Sequence, residues 1–205
     1  MELLTVISII GLLAALLLPS LARARASART LQCLSQMRQI ALAIRLYAED
    51  NADTLPRSQH SAFAHGQVPW GKAIAPGLGS NTSAWTNLLQ TTYRCPTDKR
   101  SGPWSYGMNV YFELGPGDDY ADNPKTWRRL IDVPNPANTV LMAESATSAD
   151  HIMAHFWSQQ SDAEDVDSSR HGWKSNYNFV DGHSQLLPLD KTYRPPGIDL
   201  WRPQE

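Results

Sequence analysis

From Leu3 to Leu18 the chain carries no charge; Thr5, Ser8 and Gly11 are mild interruptions, and Pro19 closes the run. From Ala22 to Asp50 the pattern turns one-sided. Cys33, Met37, Ile40, Ile44 and Tyr47 recur at 4-3-4-3 spacing with Leu34, Ala41 and Ala48 beside them, while Arg38, Gln39, Arg45 and Glu49 fall on the other side. That is the period of an amphipathic helix. The two stretches together predict one long helix, apolar all round in its first half and one-sided in its second. Pro19 is expected to kink or locally free it, because proline lacks the N–H and crowds the preceding turn.

Towards the C-terminus the period changes from helical to alternating. Asn176 to Val180 alternates polar and aromatic residues, with Tyr177 and Phe179 on one face. Asp181-Gly182 is a two-residue hairpin turn signal, and 183–187 returns as the partner strand. Further strands are predicted at Tyr106–Phe112 and Thr139–Ala143, and a short helix over Ala84–Thr91. The fold class is therefore α+β: a long N-terminal helix packed by its amphipathic half on a small antiparallel sheet. Residues 1–21 form the apolar half of the helix, 22–52 the amphipathic half and 53–205 the globular head.

Composition narrows the class. A chain of 205 residues holds one membrane segment and a domain of roughly 150 residues that can bury its own core. A net charge of -2 lends no electrostatic support to nucleic-acid binding. Fourteen prolines, twelve glycines and seven tryptophans suggest a loop-rich head stapled by aromatics. The N-terminal run has three readings. A cleaved signal peptide lacks its basic n-region, with Ala22-Arg23-Ala24 a weak cleavage site. A buried core helix is the second, since sixteen residues rise only ~24 Å against a hydrocarbon core of ~30 Å. A membrane helix is the third, and it is favoured because the helical pattern runs on past Pro19. A carboxylate at the head of such a segment, Glu2, is then a functional-site candidate.

The opening M-E-L-L-T-V-I-S-I-I-G-L-L-A-A-L-L-L-P resembles the N-terminus of the type IV pilin superfamily, which includes pilins, minor pilins and the pseudopilins of type II secretion. Mature members begin with a pattern like FTLIELL, and this chain matches from its fourth position onward. Glu2 then falls on the family's characteristic glutamate and Pro19 on its helix-loosening proline. The family's basic leader, the glycine before the cleavage point and the methylated phenylalanine are not in the sequence as given. The expectation is that it starts about three residues inside the mature protein, Met1 marking a misassigned start or a truncated fragment. Three restored residues bring the span to about 29 Å, the thickness of the bilayer core. Arg23, Arg25 and Arg29 follow the apolar run, and the positive-inside rule alone places them in the cytoplasm. A basic leader on the other flank outweighs them, so a head outside the cytoplasm rests on the resemblance.

A second match lies near the C-terminus. His171, nine residues and Asp181-Gly182, in the context R-H-G-W-K-S-N-Y-N-F-V-D-G-H, reproduce an H-X9-DG signature of prepilin-like proteins. The segments Y-R-C-P-T-D at 93–98, S-Y-G-M-N at 105–109 and V-P-N-P-A-N-T-V-L-M-A-E-S at 133–145 agree with it. The resemblance implies a structural subunit of a type II secretion or type IV pilus-like filament. It implies a single-pass inner-membrane protein with its head in the periplasm or outside the cell, partnered by other pilin subunits through the helix and processed by a prepilin peptidase where a leader exists. Glu2 and Pro19 are the implied assembly residues, Glu2 attracting the N-terminal amine of the adjacent subunit. The rival reading is a membrane-tethered binding module for a glycan or another surface ligand that does not polymerise. Neither reading is an enzyme.

The hairpin signature, 171–182, also invites a metal reading. His171, Asp181 and His183 are the weak ligand candidates, with Asp165 or Asp167 nearby, and some pseudopilins hold calcium in this part of the head. Calcium prefers several oxygens, and zinc wants three or four ligands in tight spacing. The bland reading has Asp181 and Gly182 make the turn while His171 bonds a neighbouring loop, with no cofactor. Cys33 and Cys95 are the two cysteines. Outside the cytoplasm they read as a disulfide that closes a loop of about 62 residues, contributing on the order of 4 kcal/mol; otherwise they are two small buried hydrophobes. His151 and His155 have helical ligand spacing without a third donor. Trp70, Trp85, Trp104, Trp127, Trp157 and Trp173 are either a sugar platform or core staples, the commoner use. Ser145–Ser148 shows no matching base for a nucleophile.

Overall fold

The computed structural model describes residues 2–115 and 126–203; Met1 lies outside them. One helix, α1 (Glu2–Asp50), dominates it. The helix continues unbroken through Pro19, although that residue has no N–H to give the Ala15 carbonyl. Polar side chains in its apolar half turn inward on their own helix: Thr5 Oγ1 donates to the Glu2 carbonyl at 2.7 Å and Ser20 Oγ to that of Leu17 at 2.8 Å. Such back-bonding satisfies a hydroxyl without water.

Residues 5–29 are exposed without interruption. From Cys33 onward the helix buries a seam of Cys33, Met37, Ile40, Ala41, Ala43, Ile44 and Ala48, the expected stripe with Ala43 added. Leu34 and Tyr47 are half-buried at its margin, and Arg38, Gln39 and Glu49 face out. Each large side chain in that seam contributes about 1.5–3 kcal/mol of apolar burial. The helix ends in two left-handed residues, Ala52 (φ 52°) and Asp53 (φ 64°). Asp53 holds its place by accepting the Ile131 N–H at 2.7 Å.

Among its described residues the head carries two short helices, α2 (Gln59–Ala64) and α3 (Trp70–Ala73), and seven strands: β1 (Tyr106–Asn109), β2 (Val140–Glu144), β3 (His151–Ile152), β4 (Ser175–Phe179), β5 (Ser184–Leu187), β6 (Tyr193–Arg194) and β7 (Ile198–Asp199). Five make one sheet in the order β3-β1-β2-β4-β5. Its neighbours pair antiparallel except β3, which joins β1 in parallel, so the sheet is mixed at one edge. The strand expected over Tyr106–Phe112 stops at Asn109, whose side chain accepts the Tyr111 N–H at 3.1 Å and starts a 3-10 turn at Val110–Phe112. The helix expected over Ala84–Thr91 is a 3-10 helix at Trp85–Gln90.

The hairpin sits where the alternation placed it, but its turn differs. Gly182 N–H donates to the Phe179 carbonyl and Phe179 N–H to the His183 carbonyl, both at 2.9 Å, with Gly182 at φ 94°. That is a three-residue loop, Val180-Asp181-Gly182, closed by a left-handed glycine bulge rather than a two-residue turn.

The sheet is covered on both faces. One cluster joins α1 to Tyr106, Met108 and Met142; the other joins Tyr177, Phe179 and Ala143 to Tyr193 and Trp201 in the C-terminal segment. Double coverage explains why β4 is buried along its whole length and why its alternation separates Tyr177 and Phe179 from Asn176 and Asn178.

Candidate functional site

The H-X9-DG segment runs along α1, and its two ends bond the helix at different heights. His171 sits in a turn completed by two left-handed residues, Gly172 (φ 68°) and Trp173 (φ 63°). Its side chain is 1% exposed. Nδ1 lies 3.0 Å from Thr30 Oγ1 on α1, and Nε2 lies 2.8 Å from Glu144 Oε1 and 3.6 Å from Cys95 Sγ. Midway, Asn178 Nδ2 donates to the Met37 carbonyl at 2.7 Å while its Oδ1 accepts from Ser184 Oγ at 2.6 Å. At the far end the Asp181 carbonyl accepts from Arg45 at 2.7 Å. A Cβ on Gly182 would press on Arg45 Cδ at 3.3 Å, so close approach and positive φ both call for glycine there. Thr30 and Arg45 are about 22 Å apart along the helix axis. The nine-residue spacer is thus the strand that bridges two docking points.

The cysteines supply a covalent third. Cys33 on α1 and Cys95 are joined in a disulfide, with Cα atoms 5.2 Å apart. The 93–98 segment is fixed around it by Thr97 Oγ1, 3.0 Å from Cys95 Sγ, and by Asp98. Asp98 takes hydrogen bonds from Arg100 (3.0 and 2.7 Å) and Ser105 (2.7 Å), with Arg170 at 3.5 Å. Burial works against the Asp98 charge, but these bonds and the Arg170 charge outweigh it and hold the carboxyl well below the usual range.

Glu144, at the end of β2, is fully buried. Its Oε2 accepts the Asn176 N–H at 2.9 Å, and Arg170 Nη1 lies 3.7 Å from Oε1. Arg170 also reaches Asp167 at 2.8 Å and donates to the Ser105 and Ser145 carbonyls. One buried cation therefore links carboxylates from three segments. Thr30, Glu144, Asp98 and Arg170 had no role in the sequence reading. Three of them stand inside the segments that carried the resemblance.

The metal candidates His171, Asp181 and His183 do not converge. His171 meets Glu144, Thr30 on α1 and, through Cys95, the 93–98 loop. Asp181 and His183 pair with each other at 2.6 Å at the Arg45 end, 35% and 42% exposed, with the His183 ring stacked on Phe179. Asp165 accepts the Met153 N–H and Asp167 is held by Arg170. His151 and His155 are not on a helix: the first lies on β3 and the second in a 3-10 turn at Ala154–Phe156. The hydrogen bond that its ring donates to the Asp150 carboxylate raises the His151 pKa, and burial lowers that of His155 to about 4.

The tryptophans do not form a platform. Trp70 and Trp104 pack in the core with Tyr93, and Trp127 is buried. Trp85 stacks on Trp104, and Trp157 meets Trp201 edge to face. Of the six, Trp173 is the exposed one, at 81%.

A concavity of about 340 Å³ lies elsewhere, lined by His60, His65, His151, Glu113 and Phe156. Burial pushes Glu113 up to about 7, against the hydrogen bonds from Ser58 N–H and Oγ.

Residues 22–84 match a family model described as a protein of unknown function, DUF1559. The matched span takes in the amphipathic half of α1 and the first part of the head. No curated protein and no solved structure matches the chain. Similarity to that family over those residues, a long apolar N-terminal helix and an α+β head are what comparison and structure jointly establish.

Proposed function

We propose that the chain is a structural subunit, a pseudopilin or minor pilin, of a type II secretion or type IV pilus-like filament. In this reading residues 2–21 hold it in the inner membrane as a single span, with the head in the periplasm or outside the cell. The observation that carries the reading is the projecting apolar half of α1, long and apolar enough to cross a membrane and with none of its apolar window buried. Large side chains along this run, such as Leu12 at 65% exposure, are left exposed among the described residues. Leaving them in water costs on the order of tens of kcal/mol, so lipid or neighbouring helices must cover them.

The same helix carries exposed leucines at head level: Leu31, Leu42 and Leu46. They lie opposite the docked seam and suit packing between subunits. In the filament the apolar shafts bundle as a core and the heads form its surface. Glu2 then acts as a register lock, because an unpaired carboxylate in an apolar core costs several kcal/mol and one paired with a neighbour's amine much less. The role is assembly rather than catalysis.

The test is Glu2→Ala in the chain expressed with its secretion machinery. Membrane insertion is expected to remain and filament yield to be lost; a normal yield of filaments from this variant overturns the reading.

A further inference from the structure

Cys33 Sγ, Cys95 Sγ, one Glu144 carboxylate oxygen and one His171 ring nitrogen all lie within 4.8 Å of one another, and all four residues are buried there. We propose that, when the cysteine pair is reduced, these four residues bind one divalent ion of the zinc class in a closed tetrahedral site. α1 is then held to the head by a disulfide in an oxidising compartment and by a metal centre in a reducing one.

The donor set is chemically suited. Zinc takes thiolate at ~2.3 Å, imidazole at ~2.0–2.1 Å and carboxylate at ~2.0–2.2 Å, so donors around it stand about 3.2–3.8 Å apart. His171 Nε2 is already 3.6 Å from Cys95 Sγ and 2.8 Å from Glu144 Oε1. The sulfurs must separate from bonding distance, and the other donors need shift only by tenths of an ångström to about an ångström.

Outer groups fix the ligands in the required form. The Thr30 hydroxyl gives its single hydrogen to the Ala26 carbonyl at 3.1 Å and faces His171 Nδ1 at 3.0 Å. It is therefore placed to accept Nδ1–H, which leaves the Nε2 lone pair directed at the ion. Glu144 Oε2 is held by the Asn176 N–H, which frees Oε1. The Asn176 side-chain amide, on that same residue, is buried and makes no hydrogen bond among the described residues. Two thiolates, one carboxylate and a dication sum to one negative charge, and Arg170, 3.7 Å from Glu144 Oε1 and 2% exposed, balances it.

The chemistry closes. A dithiol reductant delivers two electrons and two protons to the Cys33–Cys95 bond and is itself oxidised to a disulfide. The ion then displaces the two thiol protons to the solvent and takes the place of the proton between His171 Nε2 and Glu144 Oε1, which moves to Nδ1 opposite Thr30. Four protein ligands leave no open position, so the site is structural rather than catalytic.

The test uses the full chain in detergent, reduced with a phosphine, freed of reductant without oxygen and titrated with Co2+ alone. One cobalt per chain is expected, with the thiolate charge-transfer and intense visible bands of a tetrahedral site, displaced by Zn2+ and absent from the oxidised protein. Thr30→Val is expected to weaken binding 10–100-fold, and His171→Asn to abolish the tetrahedral spectrum. Reduced wild-type chain that takes up no cobalt, or takes it up only with the weak spectrum of an octahedral ion, overturns the proposal. So does tetrahedral binding that survives unchanged in His171→Asn with native circular dichroism. Should His171→Asn fail to fold, the wild-type and Thr30→Val titrations decide.

Discussion

The two halves of α1 share one continuous helix and differ in everything that surrounds it. Residues 5–29 are exposed without interruption, and none of their apolar side chains is buried among the described residues. From Thr30 to Arg45 the same helix is held by a disulfide, by a buried seam and by hydrogen bonds to His171, Asn178 and Asp181. The difference teaches that helix formation and helix docking are separate problems here. The first half needs an apolar surrounding that the described residues do not supply. The second carries its own, and the H-X9-DG segment supplies the polar attachment along it.

Substitutions sharpen this contrast, beginning with the largest expected effect. Cys33→Ser opens a loop closed across 62 residues and is expected to cost the head about 4 kcal/mol under oxidising conditions, read as a fall in the denaturation midpoint. Ile44→Ala, in the seam, should cost roughly 2–5 kcal/mol, whereas Leu12→Ala should leave head stability within ~0.5 kcal/mol. Equal effects from the two would erase the distinction between the halves.

Away from α1, burial pushes Glu113 from its ordinary 4.5 up to about 7. The stability it contributes is fully present below 4.5 and lost as pH rises through about 7, on the order of 3 kcal/mol. Glu113→Gln should flatten that slope in unfolding curves measured across the interval; an unchanged slope would show that another group sets it. Smallest of all, His183→Ala removes a hydrogen bond to Asp181 between side chains more than a third exposed and should cost under ~1 kcal/mol. A larger loss would mean that the turn end of the motif carries more of the docking than its exposure allows.

Much of this was legible in the sequence because periodicity is a direct image of burial. The 4-3-4-3 stripe from Cys33 to Tyr47 marked the docked face, and the alternation at Asn176–Val180 marked the hairpin. The polar couplings were not legible. Nothing in the spacing says that Thr30 faces His171, or that Arg170 bridges Asp98, Glu144 and Asp167, because these contacts depend on how separated segments stack. The parallel β3 was too short to show a pattern, and the Asp-Gly signal marked a turn without fixing its loop length. Cys33 falls on the docked face of the predicted helix, but the imidazole and carboxylate beside the disulfide emerge only when β2 and the turn before β4 are brought together.

The central claim is that the apolar half of α1 lies in lipid while the docked half stays with the head. Nitroxide labels at Ile10 and at Leu31, in the full chain reconstituted into vesicles, test it most directly through their accessibility to dissolved oxygen and to a water-soluble nickel chelate. The account predicts that oxygen reaches Ile10 and the chelate does not, while the chelate reaches Leu31. A label at Ile10 that the chelate reaches as freely as one at Leu31 would contradict it.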